Sequence, residues 1–264
     1  MTGGGGSGSV ARRPAASVIE TLRANLASVR SRIDAAARRA RREGARVELV
    51  AVTKSVEPEV AAALARLGQL DLGENRADEL ERKVAALREA GLEPRWHFVG
   101  HLQGNKVRRV VSIASSIHSV DSLRLLDAVD RAAGELGLKP EVWIQVKLAR
   151  EATKTGLDPG EVAALVDRAR SLSHARLAGL MTLAPLLPGA ESEAAARAVF
   201  RELARLARDL APPARMSDAL SPGRLRTSMG MSGDFEWAVE EGSDLVRVGS
   251  RLFEGLAPGR EARR

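Results

Sequence analysis

Arg46-Val47-Glu48-Leu49-Val50-Ala51-Val52-Thr53-Lys54-Ser55 is an apolar, β-branched run of strand length that ends in a single lysine and is stopped by Glu57-Pro58. Lys54 therefore belongs at the C-terminal end of a buried strand. A long ammonium side chain there is either a surface cation that snorkels to water or a group meant to be desolvated. Desolvation lowers a lysine pKa and makes the free amine available.

Outward from this strand the chain alternates. Before it, Val18, Leu22, Leu26, Val29 and Ile33 recur every three or four residues, which predicts a helix over 17–43 ended by Gly44. After it, the patterns predict helix 58–67 closed by Gly68, strand 70–75, helix 76–90, strand 96–101, helix 105–113, strand 117–120 and helix 122–136. The second half continues with strand 142–146, helix 158–172, strand 177–183, helix 191–210, a break at Pro212-Pro213, strand 226–231, helix 234–241 and strand 245–249. Continuous apolar strands are what a parallel sheet covered on both faces requires. The alternation predicts an α/β fold, a single-domain (β/α)8 TIM barrel over 17–256 with an extra N-terminal helix, and leaves a doubly wound sheet as the alternative.

Composition narrows the class. A chain of 264 residues that is 44% hydrophobic can bury one sizeable core. It has no cysteine, which removes disulfides, thiolate metal sites and thiol nucleophiles. No apolar run approaches the roughly 20 residues that cross a bilayer, so a cytoplasmic protein is expected. Residues 1–16 open in glycine and serine and read as a flexible tail, and 257–264 as a C-terminal tail. A net charge of +7 includes a cluster at Arg38, Arg39, Arg41 and Arg42, which could touch phosphate backbones. The cluster lies on a predicted helix, however, and 3% aromatic residues offer few platforms for stacked bases, so no nucleic-acid partner is expected.

In a barrel of this kind function gathers at the C-terminal strand ends, here Lys54, Asn75, His97, Met231 and Gly249. A phosphate site is expected after strands seven and eight. There the sequence carries Ser228-Met229-Gly230-Met231-Ser232-Gly233 and Gly249-Ser250, small residues whose amides and hydroxyls can face an anion. A strand-end lysine opposite a phosphate site can hold pyridoxal phosphate, the amine condensing with its aldehyde and the loops holding its phosphate.

Ala51-Val52-Thr53-Lys54, Gly73-Glu74-Asn75, Trp96-His97-Phe98-Val99-Gly100 with Leu102-Gln103-Gly104-Asn105-Lys106, His118-Ser119-Val120-Asp121-Ser122, Lys154-Thr155-Gly156, Gly179-Leu180-Met181, Ser228-Met229-Gly230-Met231-Ser232 and Val246-Arg247-Val248-Gly249 follow in one order. In them the chain resembles, from about residue 17 to 255, the YggS/PROSC family of pyridoxal phosphate homeostasis proteins. The resemblance implies a barrel similar to the N-terminal domain of alanine racemase, with the cofactor held as a Schiff base on Lys54. It also implies a phosphate site at Ser228, Gly230, Ser232, Gly249 and Ser250, and Arg247 addressing the pyridine nitrogen. A guanidinium only donates, so it would leave that nitrogen unprotonated and the ring a weak electron sink. The racemases resembled here use a tyrosine base from an additional domain, whereas this chain contains no tyrosine.

The expectation is a non-catalytic carrier or buffer of pyridoxal phosphate, with no catalytic residues and no metal site, monomeric, exchanging cofactor with apo-enzymes or amino acids. The alternative is a pyridoxal phosphate-dependent racemase or decarboxylase completed by a partner. Glu74-Asn75 ends an apolar strand and is expected at the mouth with its side chains in the pocket. Lys147 stands where the family usually shows an asparagine, and its role is open. His97 and His118 lack metal-ligand spacing and read either as pocket lining or as satisfied core histidines.

Overall fold

The computed structural model describes residues 14–42, 46–149, 156–185, 191–211, 223–257 and 259, and in these eight parallel strands close into a barrel in chain order. They are β1 (Glu48–Val52), β2 (Asp71–Glu74), β3 (Arg95–Phe98), β4 (Ser116–Val120), β5 (Glu141–Gln145), β6 (Arg176–Met181), β7 (Arg226–Ser228) and β8 (Leu245–Val248). β8 returns to β1, pairing Glu48 with Leu245 through Ala51 with Val248. Closure leaves no sheet edge, which a doubly wound sheet would have.

The described helices are α1 (Ala16–Arg39), α2 (Pro58–Arg66), α3 (Ala77–Glu89), α4 (Val107–Val111), α5 (Leu123–Leu136), α6 (Val162–Arg170), α7 (Glu191–Asp209) and α8 (Phe235–Glu240). Local chemistry sets several boundaries. Pro58 opens α2 with its pre-set φ. Ser122 caps α5 by accepting the Leu125 amide, and Gly137 ends that helix at φ 65°, a conformation glycine adopts without a Cβ penalty.

The N-terminal helix has a definite place in the ring. The described residues after β8 form turns, and α1 packs against both α8 and α2, where a helix following β8 would otherwise lie. Leu22, Leu26, Val29, Ile33 and Ala36 form its buried stripe. Asn25 donates to the carbonyls of Leu252 (3.1 Å) and Glu254 (2.9 Å), tying the helix to the turns beyond β8. Two members of the arginine cluster are engaged here as well. Arg39 pairs with Glu240 at 2.6 Å, and Arg42 donates to the carbonyls of Val239 and Ser243.

Side chains alternate between two environments. Leu49 and Ala51 of β1 face the helices with the main core, whereas Val50 and Val52 join Trp143, Ala178, Met181 and Leu245 inside the barrel. On β8, Val246 and Val248 face outward, so Leu245 and Arg247 face the axis. This alternation decides which motif residues reach the mouth.

No described helix is long and apolar enough to cross a membrane, and no cluster of three or more His, Asp or Glu able to hold a metal occurs among the described residues. Gly44, Lys154, Thr155, Pro212 and Pro213 lie outside the described residues, as do most of 1–16 and 257–264. Within that last segment, Gly259 donates its amide to the carbonyl of Ser55 at 2.9 Å, which fastens this point to the loop carrying Lys54.

Candidate functional site

Lys54 lies two residues beyond β1 in the inward alternation of Val50 and Val52, and so stands over the C-terminal mouth. Its side chain is exposed and makes no hydrogen bond or ion pair with a described residue. Of the two readings left open by the sequence, the structure shows the exposed one: the strand ends at Val52 and the Lys54 side chain is exposed.

At the same end of the barrel the two glycine-serine corners come together. Ser232, Gly233, Ser250, Arg251 and Glu254 line one cleft of about 320 Å³, and the Gly249 amide donates to Ser232 Oγ at 3.0 Å, joining the corner after β7 to the corner after β8. A Cβ on Gly249 would stand 3.1 Å from the carbonyl of Val52, which puts this cleft against the end of β1. The amides of Ser232, Gly233, Ser250 and Arg251 have no partner among the described residues. Four such amides with two hydroxyls around a cleft form a nest suited to a phosphate group, while the Arg251 guanidinium there is paired with the Glu254 carboxylate at 3.3 Å. The Met231 amide, by contrast, is taken by Asp234 Oδ1.

Gly230 shapes the first corner. Its φ of 96° suits only glycine, and a Cβ there would stand 2.6 Å from that of Ala238 and 2.9 Å from Phe235 Cα. The absence of a side chain thus lets the loop turn tightly over α8.

Ser228 is placed differently from its neighbours in sequence. It is the last residue of β7, fully buried, and it serves the barrel axis and not the cleft. Arg247 Nη1 donates to Ser228 Oγ at 2.5 Å and Nη2 donates to the carbonyl of Thr182 at 3.0 Å. Behind them His118 Nδ1 lies 3.0 Å from Ser228 Oγ, His118 Nε2 lies 3.0 Å from His97 Nδ1, and His97 Nε2 lies 3.1 Å from Asp71 Oδ1. Arg247 can only donate, and an ionised Asp71 can only accept. One hydrogen per link therefore runs the chain in one direction, from Arg247 through Ser228, His118 and His97 to Asp71. The histidines are satisfied residues of the barrel interior, and His118 also stacks on Trp143 at 5.1 Å.

Burial sets the electrostatics of this chain. It pushes Arg247 down to about 10, which still leaves the guanidinium protonated at neutral pH. Burial pushes Asp71 up, but hydrogen bonds from His97 and Arg95 outweigh it and hold the carboxyl below its ordinary value. Burial, reinforced by the nearby Arg247 guanidinium, holds His118 well below the usual 6.5. The folded protein thus keeps His118 neutral while the unfolded chain takes up a proton near pH 6.5. Stability should therefore fall as pH drops through about 6.5, with a limiting slope of about 1.4 kcal/mol per pH unit for this one group. Chemical denaturation at stepped pH measures it, and a flat profile from pH 7 to 5 would contradict the assignment.

The Glu74-Asn75 pair splits. Asn75 is half-buried at the mouth end of β2, and Gly100 lets it sit there, since a Cβ on Gly100 would stand 2.0 Å from the Asn75 carbonyl oxygen. Glu74 is corrected: its side chain lies on the outer face of β2, fully buried, bonded to Lys83 Nζ at 2.5 Å and to Thr53 Oγ1 at 2.5 Å. Strand alternation explains this, because Glu74 shares the outward parity of Leu72. Lys147 follows β5 at the same end of the barrel and is half-buried, its amide donating to the carbonyl of Leu157. Arg251, Thr182 and Lys83 are not among the residues the motifs single out, although Arg251 directly adjoins the expected phosphate residue Ser250.

Comparisons with known proteins bear on the fold and the family. The family model described as alanine racemase, N-terminal domain, matches residues 24–257. A protein of Aquifex aeolicus named pyridoxal phosphate homeostasis protein is 36% identical over 228 residues, covering 86% of this chain and 95% of its own. The structure of PipY from Synechococcus elongatus with PLP bound superposes with a TM-score of 0.74 at 34% identity, covering 88% of this chain and 99% of that one. An alanine racemase from a Streptomyces lavendulae that produces D-cycloserine shares the fold alone, with a TM-score of 0.63 at 22% identity over 92% of this chain and 59% of the racemase. A closed eight-stranded barrel with a mouth lysine beside a donor-lined cleft, matched along nearly its whole length, places this chain in the alanine racemase N-terminal domain family, among the pyridoxal phosphate homeostasis proteins.

Proposed function

We propose that this chain binds pyridoxal 5'-phosphate in the C-terminal mouth of the barrel formed by residues 17–256 and carries or buffers it without turnover. The observation that carries the reading is the cleft of Ser232, Gly233, Ser250 and Arg251, with four amides unpartnered among the described residues, set against the strand end that presents the exposed Lys54 amine. Bound there, pyridoxal phosphate would supply an aldehyde that an amine can attack and a ring able to withdraw electrons.

Each residue then has a task. Lys54 provides the covalent anchor. Ser232, Gly233, Ser250 and Arg251 hold the phosphate, while Gly230 and Gly249 shape the two corners, the Gly249 amide joining them through Ser232. Arg247, steered by Ser228, gives the ring nitrogen a donor and never a proton acceptor, which keeps the electron demand of the ring low. Asn75 lines the mouth at the end of β2. The open rim around Lys54 suits exchange with solvent, amino acids and apo-enzymes that depend on the cofactor. That the relatives are named for homeostasis and not for a reaction supports binding without turnover. A monomer in the cytoplasm, with neither nucleic acid nor membrane as partner, completes the reading.

Parallel titrations with pyridoxal phosphate and pyridoxal test it. The phosphorylated form should bind more tightly, and Ser232→Ala with Ser250→Ala should erase about tenfold or more of that advantage, since hydrogen bonds to a charged group are worth about 1.5–3 kcal/mol. Equal affinities for the two compounds would overturn the phosphate assignment. Steady change in the optical rotation of an amino acid incubated with the loaded protein would overturn the absence of turnover.

A further inference from the structure

We propose that Lys83 is a positioning residue for Lys54: its buried ammonium grips the Thr53–Lys54 peptide from behind the strand and so fixes where the mouth lysine stands. The inference rests on the covalent role given to Lys54 above.

Lys83 belongs to α3, on the helix face that also buries Leu80, Val84 and Leu87, and it is among the largest fully buried side chains of the protein. Its Nζ donates to the carbonyl of Thr53 at 2.7 Å and to Glu74 Oε1 at 2.5 Å. Thr53 Oγ1 donates to the same carboxylate oxygen at 2.5 Å, and the Thr53 amide donates to the carbonyl of Gly73 at 2.9 Å. Every polar group of Thr53 is thus engaged, and its carbonyl belongs to the peptide bond that begins Lys54. The Val56 amide also donates to the Thr53 carbonyl at 3.0 Å and the Gly259 amide to the carbonyl of Ser55 at 2.9 Å, so the backbone of this loop is held from both sides, and Lys83 is the side chain that grips it from behind the strand. The Lys54 side chain itself is exposed and has no described partner.

Energetics argue that the pair is there for geometry. Removing an ammonium and a carboxylate from water costs several kcal/mol each, and apolar residues of similar volume commonly fill such sites with equal or better stability. Here the cost is larger still, because Glu74 Oε2 is buried without a partner. An apolar side chain on α3 could fill the volume. It could not donate to the Thr53 carbonyl.

The test compares wild type, Lys83→Met, and the double variant Lys83→Met with Glu74→Leu, which leaves no buried charge unpaired. The double variant should melt near wild type, yet borohydride trapping of pyridoxal phosphate on Lys54 should slow by about 10- to 100-fold, the scale on which a displacement of about 1 Å acts. Reductive methylation of Lys54 by formaldehyde with borohydride as the hydride donor, which needs only an exposed amine on the protein, should keep its wild-type rate. Trapping at the wild-type rate in the double variant would overturn the inference, and so would failure of both variants to fold, since that would make the pair a requirement of the core. If wild-type Lys54 traps no cofactor, it is the covalent role of Lys54 that fails, a result separate from any effect of Lys83.

Discussion

Lys54→Ala should abolish covalent retention of pyridoxal phosphate while changing folding stability by no more than about 0.5 kcal/mol, the usual range for an exposed side chain with no partner. The asymmetry follows from position. Lys54 stands beyond the end of β1, outside both the barrel interior and the core under the helices, so its removal opens no cavity. The loss of binding should be larger than for any single residue of the phosphate cleft, because several donors there share one anion. Lys54→Arg separates charge from chemistry: it keeps a cation at the rim but offers no amine that condenses with an aldehyde, and it should fail as completely as alanine. Dialysis followed by absorbance reads both variants. Retention by either, through Lys147 or another lysine, would contradict the assignment.

Gly230→Ala should be the most damaging small substitution in the site, costing about 2–5 kcal/mol of stability from backbone strain and overpacking together. The backbone at φ 96° disfavours any side chain, and the added methyl would meet Ala238 Cβ at 2.6 Å and Phe235 Cα at 2.9 Å. The second clash is with the backbone of α8, which cannot yield as a flexible side chain would. Relief requires the corner after β7 to lift, and the corner after β8 is joined to it through Ser232 and the Gly249 amide. Urea denaturation should show the loss of stability, and titration with pyridoxal phosphate should show weaker binding in the fraction that folds. A change below about 1 kcal/mol with unchanged binding would contradict this account of the loop.

How far the sequence carried the fold depended on whether a feature is local. The eight strands were legible as apolar runs between glycines and prolines, and the helices as stripes of period three and four. The place of α1 is not legible, because it follows from packing against α8, at the far end of the chain, as well as against the next helix, α2. Two strand ends are expected too far out: 96–101, where β3 ends at Phe98, and 226–231, where β7 ends at Ser228. After β7, Gly230 explains the difference, since its positive φ leaves the extended conformation.

Within the site, residues next to one another in sequence parted because strand alternation sends neighbours to opposite faces. Glu74 and Asn75 were paired as mouth residues, yet the parity of Leu72 and Glu74 already assigns the carboxylate to the outer face. Lys83 likewise carries a signal in its spacing, standing three residues after Leu80 and four before Leu87 on an apolar stripe where a lysine is unexpected. No such signal exists for the chain from Arg247 to Asp71. Its links join β8, β7, β4, β3 and β2 across the barrel axis, and only closure of the cylinder brings them together.

The central claim is that one amine at the rim takes the cofactor while the joined corners after β7 and β8 hold its phosphate. Peptide mapping by mass spectrometry of the wild-type protein, loaded with pyridoxal phosphate and reduced with borohydride, tests it most directly. A single reduced adduct on the peptide containing Lys54 is the predicted result; an unmodified Lys54 peptide, or an adduct confined to other lysines, would contradict it.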